Sequence, residues 1–153
     1  MVITFCGHSN YKFEIDDEIK LLNILEELST KERIDFYLGG YGNFDSFAKN
    51  CAKKFKENHP DSKLIFITPY LNKWLEERKA NLEKEYDDII YPALERVPLK
   101  FAISKRNEWM VRQSNIVICY VSAHHGGAYK TLLYAHKHKK TYINLYKGNF
   151  EIY

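Results

Sequence analysis

The chain has 153 residues, of which 45% are hydrophobic and 28% are charged, a composition typical of a folded globular protein and unlike that of a disordered chain. Its net charge of +3 suits an anionic small ligand, whereas nucleic-acid-binding domains usually carry a larger basic excess gathered on one face. The composition therefore argues against nucleic acid as a partner.

The N-terminal residues and the cysteines indicate where in the cell the protein is located. The first residues, MVITFCGHS, lack the basic start and the long apolar stretch of a signal peptide, and no apolar run approaches the ~20 residues of a membrane helix. The three cysteines, Cys6, Cys51 and Cys119, form no CxxC pair, and Cys6 and Cys119 lie in apolar runs typical of buried, reduced thiols. We therefore expect one cytoplasmic domain over residues 1–153, with no membrane partner.

Short apolar runs rich in β-branched and aromatic residues alternate with longer segments whose apolar residues recur at helical spacing. Residues 116–121 are apolar throughout, which is typical of a central strand buried on both faces. Ser104 is in position to cap the fourth helix. In chain order, the pattern predicts strand 2–6, helix 16–28, strand 34–38, helix 45–55, strand 64–67, helix 71–86, an irregular segment from Pro92 to Pro98, helix 104–112, strand 116–121, helix 126–138 and strand 141–145.

This alternation decides the fold class. Strands separated by long helices favour right-handed crossovers and a parallel sheet. The sequence therefore predicts an α/β fold, a Rossmann-like three-layer sandwich with a mainly parallel sheet. In such sheets, ligands bind beyond the carboxyl ends of the strands, where loops and helix N-termini converge.

Glycine and polar residues collect at those predicted strand ends. Glycines there let backbone N–H groups approach an oxyanion, and the dipole of the following helix favours negative charge. One glycine turn is explained as well by a tight turn, but three such turns on one edge favour a ligand pocket. The candidate ligand-binding residues are Gly7, His8 and Ser9 after the first strand, Gly39, Gly40 and Gly42 after the second, Thr68 after the third, and Gly126 and Gly127 after the fourth.

Neither glycine cluster matches a common nucleotide-binding fingerprint. Counted from Gly40, the third glycine of G-x-G-x-x-G would fall at Asp45. Neither cluster leads into the Gly-Lys-Ser/Thr of a P-loop. The pattern therefore disfavours an NAD-dependent dehydrogenase and a P-loop kinase.

Several segments of the chain form a recognisable series: GHS, GGYGNFD and TPY after the first three strands, SKRNEWM in the fourth helix, and ICYV followed by GGAYKTLLYA. Together they resemble the SLOG superfamily, and in particular its YoqJ/YpsA-like branch from Gram-positive bacteria and their prophages. The resemblance covers nearly the whole chain. It implies a Rossmann-like domain that binds a nucleotide or a nucleotide-derived ligand, similar to the LOG phosphoribohydrolases and to the DNA-binding DprA proteins.

The resemblance also implies roles for individual residues. Arg106 and Met110 match the R-x-x-x-M helix motif of the related enzymes, and Gly126 and Gly127 match the glycine pair of P-G-G-x-G-T-x-x-E, with Thr131 as a match for its threonine. The catalytic glutamate of that motif has no counterpart, since its candidate positions hold Leu133 or Tyr134, and His125 replaces the proline. Binding is therefore better supported than catalysis.

Chemistry singles out five further candidate roles. The guanidinium of Arg106 and the ammonium of Lys130 suit a phosphate, although either side chain could simply be solvated. Asp45 and Glu108 are the candidate catalytic carboxylates for an N-glycosidic step, with Asp45 preferred. Their structural alternatives are a helix N-terminal residue and a solvent-facing side chain. His8, directly after the first strand, is predicted to bond a base or ribose.

Four histidines raise the question of a metal. His124 and His125 are adjacent in the sequence, and His136 and His138 lie on different sides of a helix, so neither pair has the spacing of a zinc site. The sequence predicts no metal site and no cofactor.

Three functions remain. The preferred one is a binding module that senses or sequesters a nucleotide; the alternatives are a nucleoside-monophosphate phosphoribohydrolase-like N-glycosidase and a DprA-like DNA-associated protein. The absent glutamate disfavours the second function, and the modest charge disfavours the third. The 12 tyrosines exceed what a small core needs, and we expect a homo-oligomer that forms through the helices around Trp74 and Trp109.

Overall fold

The computed structural model of the chain describes residues 1–152, which contain six β-strands alternating with five α-helices. No helix within these residues is long and apolar enough to cross a membrane. The elements are β1 (Val2–Gly7), α1 (Ile15–Ser29), β2 (Asp35–Leu38), α2 (Asn43–Asn58), β3 (Leu64–Ile67), α3 (Lys73–Glu85), β4 (Asp88–Ile90), a short 3₁₀ helix (Leu99–Phe101), α4 (Ala102–Gln113), β5 (Ile116–Tyr120), α5 (Gly126–Lys137) and β6 (Thr141–Asn144).

All six strands form one parallel sheet in the order β4-β3-β2-β1-β5-β6. The predicted parallel α/β fold is therefore confirmed. Because parallel strands end at the same edge, Gly7, Gly40, Thr68 and Gly126 all lie at the carboxyl edge of the sheet, as predicted. The chain builds outward from β1 to β4 and then returns to pair β5 with the other side of β1. The switch point, where ligands bind in open sheets of this kind, is between β1 and β5.

Helices cover both faces of the sheet. The core on one face combines strand residues such as Phe36 with Phe44 and Phe55 of α2. On the other face, Val111 of α4 and Leu132 of α5 pack against β5. These two helices contact each other extensively, and the three-layer arrangement follows from the two apolar faces of the central strands.

Two local predictions were wrong. The structure contains a sixth strand, β4, which we did not predict because it has only three residues and none of them is fully buried. Helix α4 begins at Ala102 rather than at Ser104, and its N-cap residue is Phe101. The chain leaves Pro98 through the short 3₁₀ helix, which continues directly into α4 and leaves Ser104 inside the helix.

The cysteines agree with the prediction of buried, reduced thiols. All three are free and buried. Cys6 and Cys119 face each other in register on β1 and β5. The hydrogen bond to Cys119, and then burial, raise the pKa of Cys6 well above its ordinary value. Since the thiolate is the reactive form, Cys6 is poorly suited to act as a nucleophile.

Candidate ligand-binding site

A cavity of about 590 Å³ opens at the switch point between β1 and β5, at the position expected for a ligand in this topology. Its walls come from the loops after β1, β2 and β5, from one face of α4 and from the start of α5. The lining residues comprise Phe5, Cys6, Gly7, His8, Ser9, Asn10, Tyr41, Asp45, Ile103, Arg106, Asn107, Ser122, Ala123, His125, Gly126, Gly127, Ala128 and Thr131.

The loops on the two sides of the switch point are joined by a hydrogen bond. The backbone N–H of Ser122 donates to Nε2 of His8 over 2.9 Å. This bond requires an unprotonated Nε2, so the neutral ring carries its hydrogen on Nδ1. Burial, and then the nearby His125, lower the pKa of His8 from its usual value. His8 is therefore a neutral residue at pH 7 that holds the β5–α5 loop beside the β1–α1 loop.

The start of α5 forms an uncapped end of the cavity. Its N-cap residue, His125, makes no side-chain capping bond, and the first turn contains no acidic residue. The first N–H groups of a helix have no partner within it, and the helix dipole adds partial positive charge there. A Cβ placed on Gly126 or on Gly127 would meet no atom within 4 Å. Backbone donors at this end are therefore accessible to an anion.

Arg106 lines the same cavity and is buried, with 2% of its surface exposed. Its Nη1 donates to the carbonyl oxygens of Gly39 at 3.0 Å and Ile67 at 2.9 Å, and its Nε donates to Oδ1 of Asn107 at 3.0 Å. The alternative of a solvated surface arginine is therefore wrong. Arg106 fastens α4 to the ends of β2 and β3, which is a structural role that the sequence did not reveal.

The remaining nitrogen of this guanidinium, Nη2, has no hydrogen-bond partner among residues 1–152. Every buried side-chain nitrogen or oxygen in that part of the chain has a partner, so the unpaired Nη2 keeps some contact with solvent. Arg106 is one of the residues that line the cavity. Burial lowers the pKa of Arg106 to about 10, which leaves it charged at pH 7. No carboxylate within residues 1–152 forms an ion pair with it.

Asp45 supplies the one carboxylate among the described residues that line the cavity. Its Oδ2 accepts a hydrogen bond from the backbone N–H of Tyr41 over 2.8 Å, which orders the loop after β2. Burial raises the pKa of Asp45 to about 6, although the Tyr41 bond and the charge of Arg106 both act to lower it. A carboxyl that titrates near neutrality can donate or accept a proton in this cavity.

The raised pKa of Asp45 predicts a pH-dependent stability. Between pH ~4 and ~6 the folded state keeps a proton that the unfolded state has lost, so Asp45 contributes stability below pH ~4 that is lost as the pH rises through 6. A tenfold change in proton affinity corresponds to ~1.4 kcal/mol, so this loss is on the order of 3 kcal/mol. Asp45→Asn should remove it and should be more stable than wild type at pH 8. The measurement is urea unfolding from pH 4 to pH 8.

The comparison of the two proteins isolates Asp45 from other titrating groups. His8 acts in the opposite direction, because its lowered pKa makes stability fall as the pH drops below about 6.5. His8 is present in both proteins and cancels from the difference. A difference between wild type and Asp45→Asn that does not vary with pH would show that Asp45 has an ordinary pKa.

Not every predicted residue lines the cavity. Gly7, His8, Ser9, Asp45, Arg106, Gly126, Gly127 and Thr131 do so, whereas Gly39, Gly40, Gly42, Thr68, Lys130 and Glu108 do not.

Of the predicted residues that do not line the cavity, Gly39 and Gly42 support the structure around it, whereas Lys130 and Glu108 do not. Gly39 binds Arg106 through its carbonyl oxygen. Gly42 has a φ of +88°, and a Cβ there would lie 2.7 Å from Cα of Ser9, so only glycine lets the β1 and β2 loops approach. Lys130 is exposed, and Glu108 pairs with Lys105 at 3.1 Å.

Some lining residues were missed by sequence reasoning. Ile103 precedes Arg106 by three residues, so it could have been inferred from the helical spacing once Arg106 was chosen. Asn107 follows Arg106 directly and Asn10 lies in a loop, so neither carries such a signal. Among residues 1–152 the structure contains no group of three or more His, Cys, Asp or Glu side chains that could hold a metal ion.

Comparison with known proteins identifies the family. Over 141 aligned residues, covering 81% of each protein, the chain is 31% identical to YoqJ, an uncharacterised SPbeta prophage-derived protein of Bacillus subtilis strain 168. The chain belongs to the YoqJ family. This confirms the resemblance that the motifs indicate, while no family model matches the sequence.

A solved structure shares the fold of this YoqJ-family chain. DNA processing protein A from Helicobacter pylori, described together with its single-stranded DNA binding mode, superposes with a TM-score of 0.62 over 93% of the chain at 17% identity. The chain spans 63% of that protein's length. At this identity the likeness concerns the fold, and it agrees with the SLOG-type architecture.

Proposed function

We propose that this YoqJ-family protein binds a nucleotide or a nucleotide-derived molecule in the cavity at the β1–β5 switch point. The observation that carries the proposal is the buried, charged Arg106, which forms no direct ion pair and lines the same cavity as the uncapped start of α5. A buried charge is costly unless it is paired. Asp45 interacts with Arg106 electrostatically but without a direct ion pair, and a bound phosphate would supply a directly bonded counter-ion.

The phosphate position follows from the donors that line the cavity. Backbone N–H groups at Gly126 and Gly127 are accessible, and Arg106 lines the same cavity. Thr131 contributes less than its motif match suggests, because its hydroxyl already donates to the carbonyl oxygen of Gly127 over 2.9 Å. Lys130 is not needed at the site.

Further lining residues suit a nucleoside. His8, Ser9 and Asn10 line the cavity from the β1 loop, and Tyr41 lines it from the β2 loop. The volume of about 590 Å³ lies within the usual range of ~300–1,000 Å³ for small-molecule sites. Phosphate, sugar and base can therefore each have a distinct part of the wall.

Hydrolysis of the glycosidic bond remains the alternative, with Asp45 as the acting residue. Its pKa near neutrality favours this role, because the carboxyl could exchange a proton with the ligand. Glycosidases usually employ two carboxylates, however, and Glu108 points away to Lys105. The arrangement supports binding better than turnover.

Single-stranded DNA is a second candidate ligand. The composition argues against nucleic acid, but the structural neighbour is described as binding single-stranded DNA. A cavity that accepts one phosphate and one base could also accept the end of a strand. Oligonucleotides therefore belong among the compounds that are tested.

Cytoplasmic location and self-association also stay proposals. Trp109 stacks on Tyr37 with ring centroids 5.7 Å apart, and Trp74 packs beside Phe66 at 6.4 Å. Both tryptophans are half-buried within their own chain. An oligomer through these helices would therefore use their remaining exposed edges.

Native mass spectrometry of gently purified protein tests ligand and assembly together. We expect a dimer or larger species that carries a co-purified phosphate-containing compound. Calorimetric titration with nucleoside mono- and diphosphates, cyclic nucleotides and a short single-stranded oligonucleotide then defines the class. Product analysis of wild type and Asp45→Asn separates hydrolysis from binding. Failure of every compound to bind would refute the proposed function.

A further inference from the structure

Tyr41 stands out among the aromatic residues because it lines the cavity and is largely exposed. It is one of the lining residues, and 64% of its surface is exposed. Within residues 1–152 its ring contacts no other aromatic ring and its hydroxyl makes no hydrogen bond. By contrast, Tyr11 packs against three other rings, and its hydroxyl donates to Asp17 over 2.7 Å.

The backbone of Tyr41 is held in place although its side chain is free. Its N–H donates to Oδ2 of Asp45 over 2.8 Å. The neighbouring Gly40 and Gly42 have φ values of +67° and +88°, which side chains other than glycine rarely adopt. The backbone N–H of Asn43, two residues after Tyr41, donates to the carbonyl oxygen of Ser9 over 2.9 Å. An anchored loop therefore presents a large apolar ring to solvent at the edge of a polar cavity.

We propose that Tyr41 is the base-stacking residue of the site and that it selects nucleotides with a large planar base, a purine above a pyrimidine. The inference rests on the proposed function, since a compound must bind in the cavity before its base can stack on Tyr41. An exposed ring gains most by covering a flat apolar face, and aromatic side chains stack on nucleobases for this reason. Stacking is tolerant of sequence but increases with the area of the base.

The test compares compounds that share a phosphate but differ in the base. AMP, CMP and ribose 5-phosphate are titrated into wild type, Tyr41→Ala and Tyr41→Phe. Phe13→Ala serves as the matched control, because Phe13 is an equally exposed aromatic, at 60%, that does not line the cavity. We expect Tyr41→Ala to weaken AMP about tenfold and CMP less, with ribose 5-phosphate unchanged. Tyr41→Phe and Phe13→Ala should bind all three compounds as wild type does.

The outcomes separate the two proposals. If wild type binds neither these three compounds nor any compound of the calorimetric panel, the proposed function fails. If wild type binds AMP but Tyr41→Ala binds it equally well, only the role of Tyr41 is refuted. Equal weakening of AMP and ribose 5-phosphate by Tyr41→Ala would also refute it, since that result assigns Tyr41 to the shape of the loop. Circular dichroism of each variant confirms that the comparison is made between folded proteins.

Discussion

Arg106→Ala is expected to lower the free energy of unfolding by about 2–4 kcal/mol and to weaken any phosphate-containing ligand at least tenfold. The stability loss has two sources. The carbonyl oxygens of Gly39 and Ile67 lose their donor, and each buried polar group left unsatisfied costs about 1–3 kcal/mol. The large side chain also leaves a void beside the cavity. Relief of the buried charge offsets part of this cost.

Urea unfolding at pH 7 measures the stability effect. Arg112→Ala is the matched control, because Arg112 lies on the same helix but is exposed, with a bond to the Tyr134 hydroxyl at 3.0 Å. We expect it to change stability by less than about 0.5 kcal/mol. If Arg106→Ala is as stable as Arg112→Ala, the two carbonyl bonds do not join α4 to the sheet as described.

The effect of Arg106→Ala on ligand affinity is measured under conditions in which the variant is folded. A charge-assisted hydrogen bond is worth roughly 1.5–3 kcal/mol, which corresponds to a tenfold or greater loss. Arg106→Lys keeps the charge but cannot donate in the planar pattern of a guanidinium. We expect it to be intermediate in both properties. Wild-type affinity in a folded Arg106→Ala protein would remove Arg106 from the ligand site.

Gly127→Val should abolish phosphate binding while leaving the fold intact. A Cβ at this position meets no atom within 4 Å, and Gly127, unlike Gly126, does not have a positive φ. The valine therefore fits the backbone, and we expect a stability change below about 1 kcal/mol. Its branched side chain should occupy the approach to the first N–H groups of α5. Loss of two charge-assisted bonds predicts about a hundredfold weaker binding or more.

Titration with AMP and with inorganic phosphate checks this expectation, and Gly127→Ala provides a graded control with a smaller side chain. We expect alanine to weaken binding less than valine does. A Gly127→Val protein that binds as tightly as wild type would place the anion elsewhere. The two substitutions are complementary, since Arg106→Ala affects both stability and binding, whereas Gly127→Val should affect binding alone.

The sequence by itself determined the architecture of this protein and the edge of the sheet that carries the candidate site. Alternating apolar runs and helical periods are local patterns, and a parallel sheet requires that all strand ends meet at one edge. Gly126, Gly127 and Arg106 could therefore be predicted as residues of the candidate site from their positions and from the family motifs, and all three line the cavity. Strand β4 escaped detection because its three residues, one exposed and two half-buried, carry no readable period.

Only the tertiary structure decided which contacts these residues make and how deeply they are buried. Arg106 was expected to grip a ligand, but its burial and its bonds to carbonyl groups 67 and 39 residues away also make it part of the framework. The bond from Ser122 to His8 spans 114 residues. Asp45 and Glu108 were similar candidates in the sequence, and the fold turned one into the cavity and the other toward Lys105. Local patterns specify helices and strands, whereas burial, pKa and the partners of a side chain depend on contacts between distant segments.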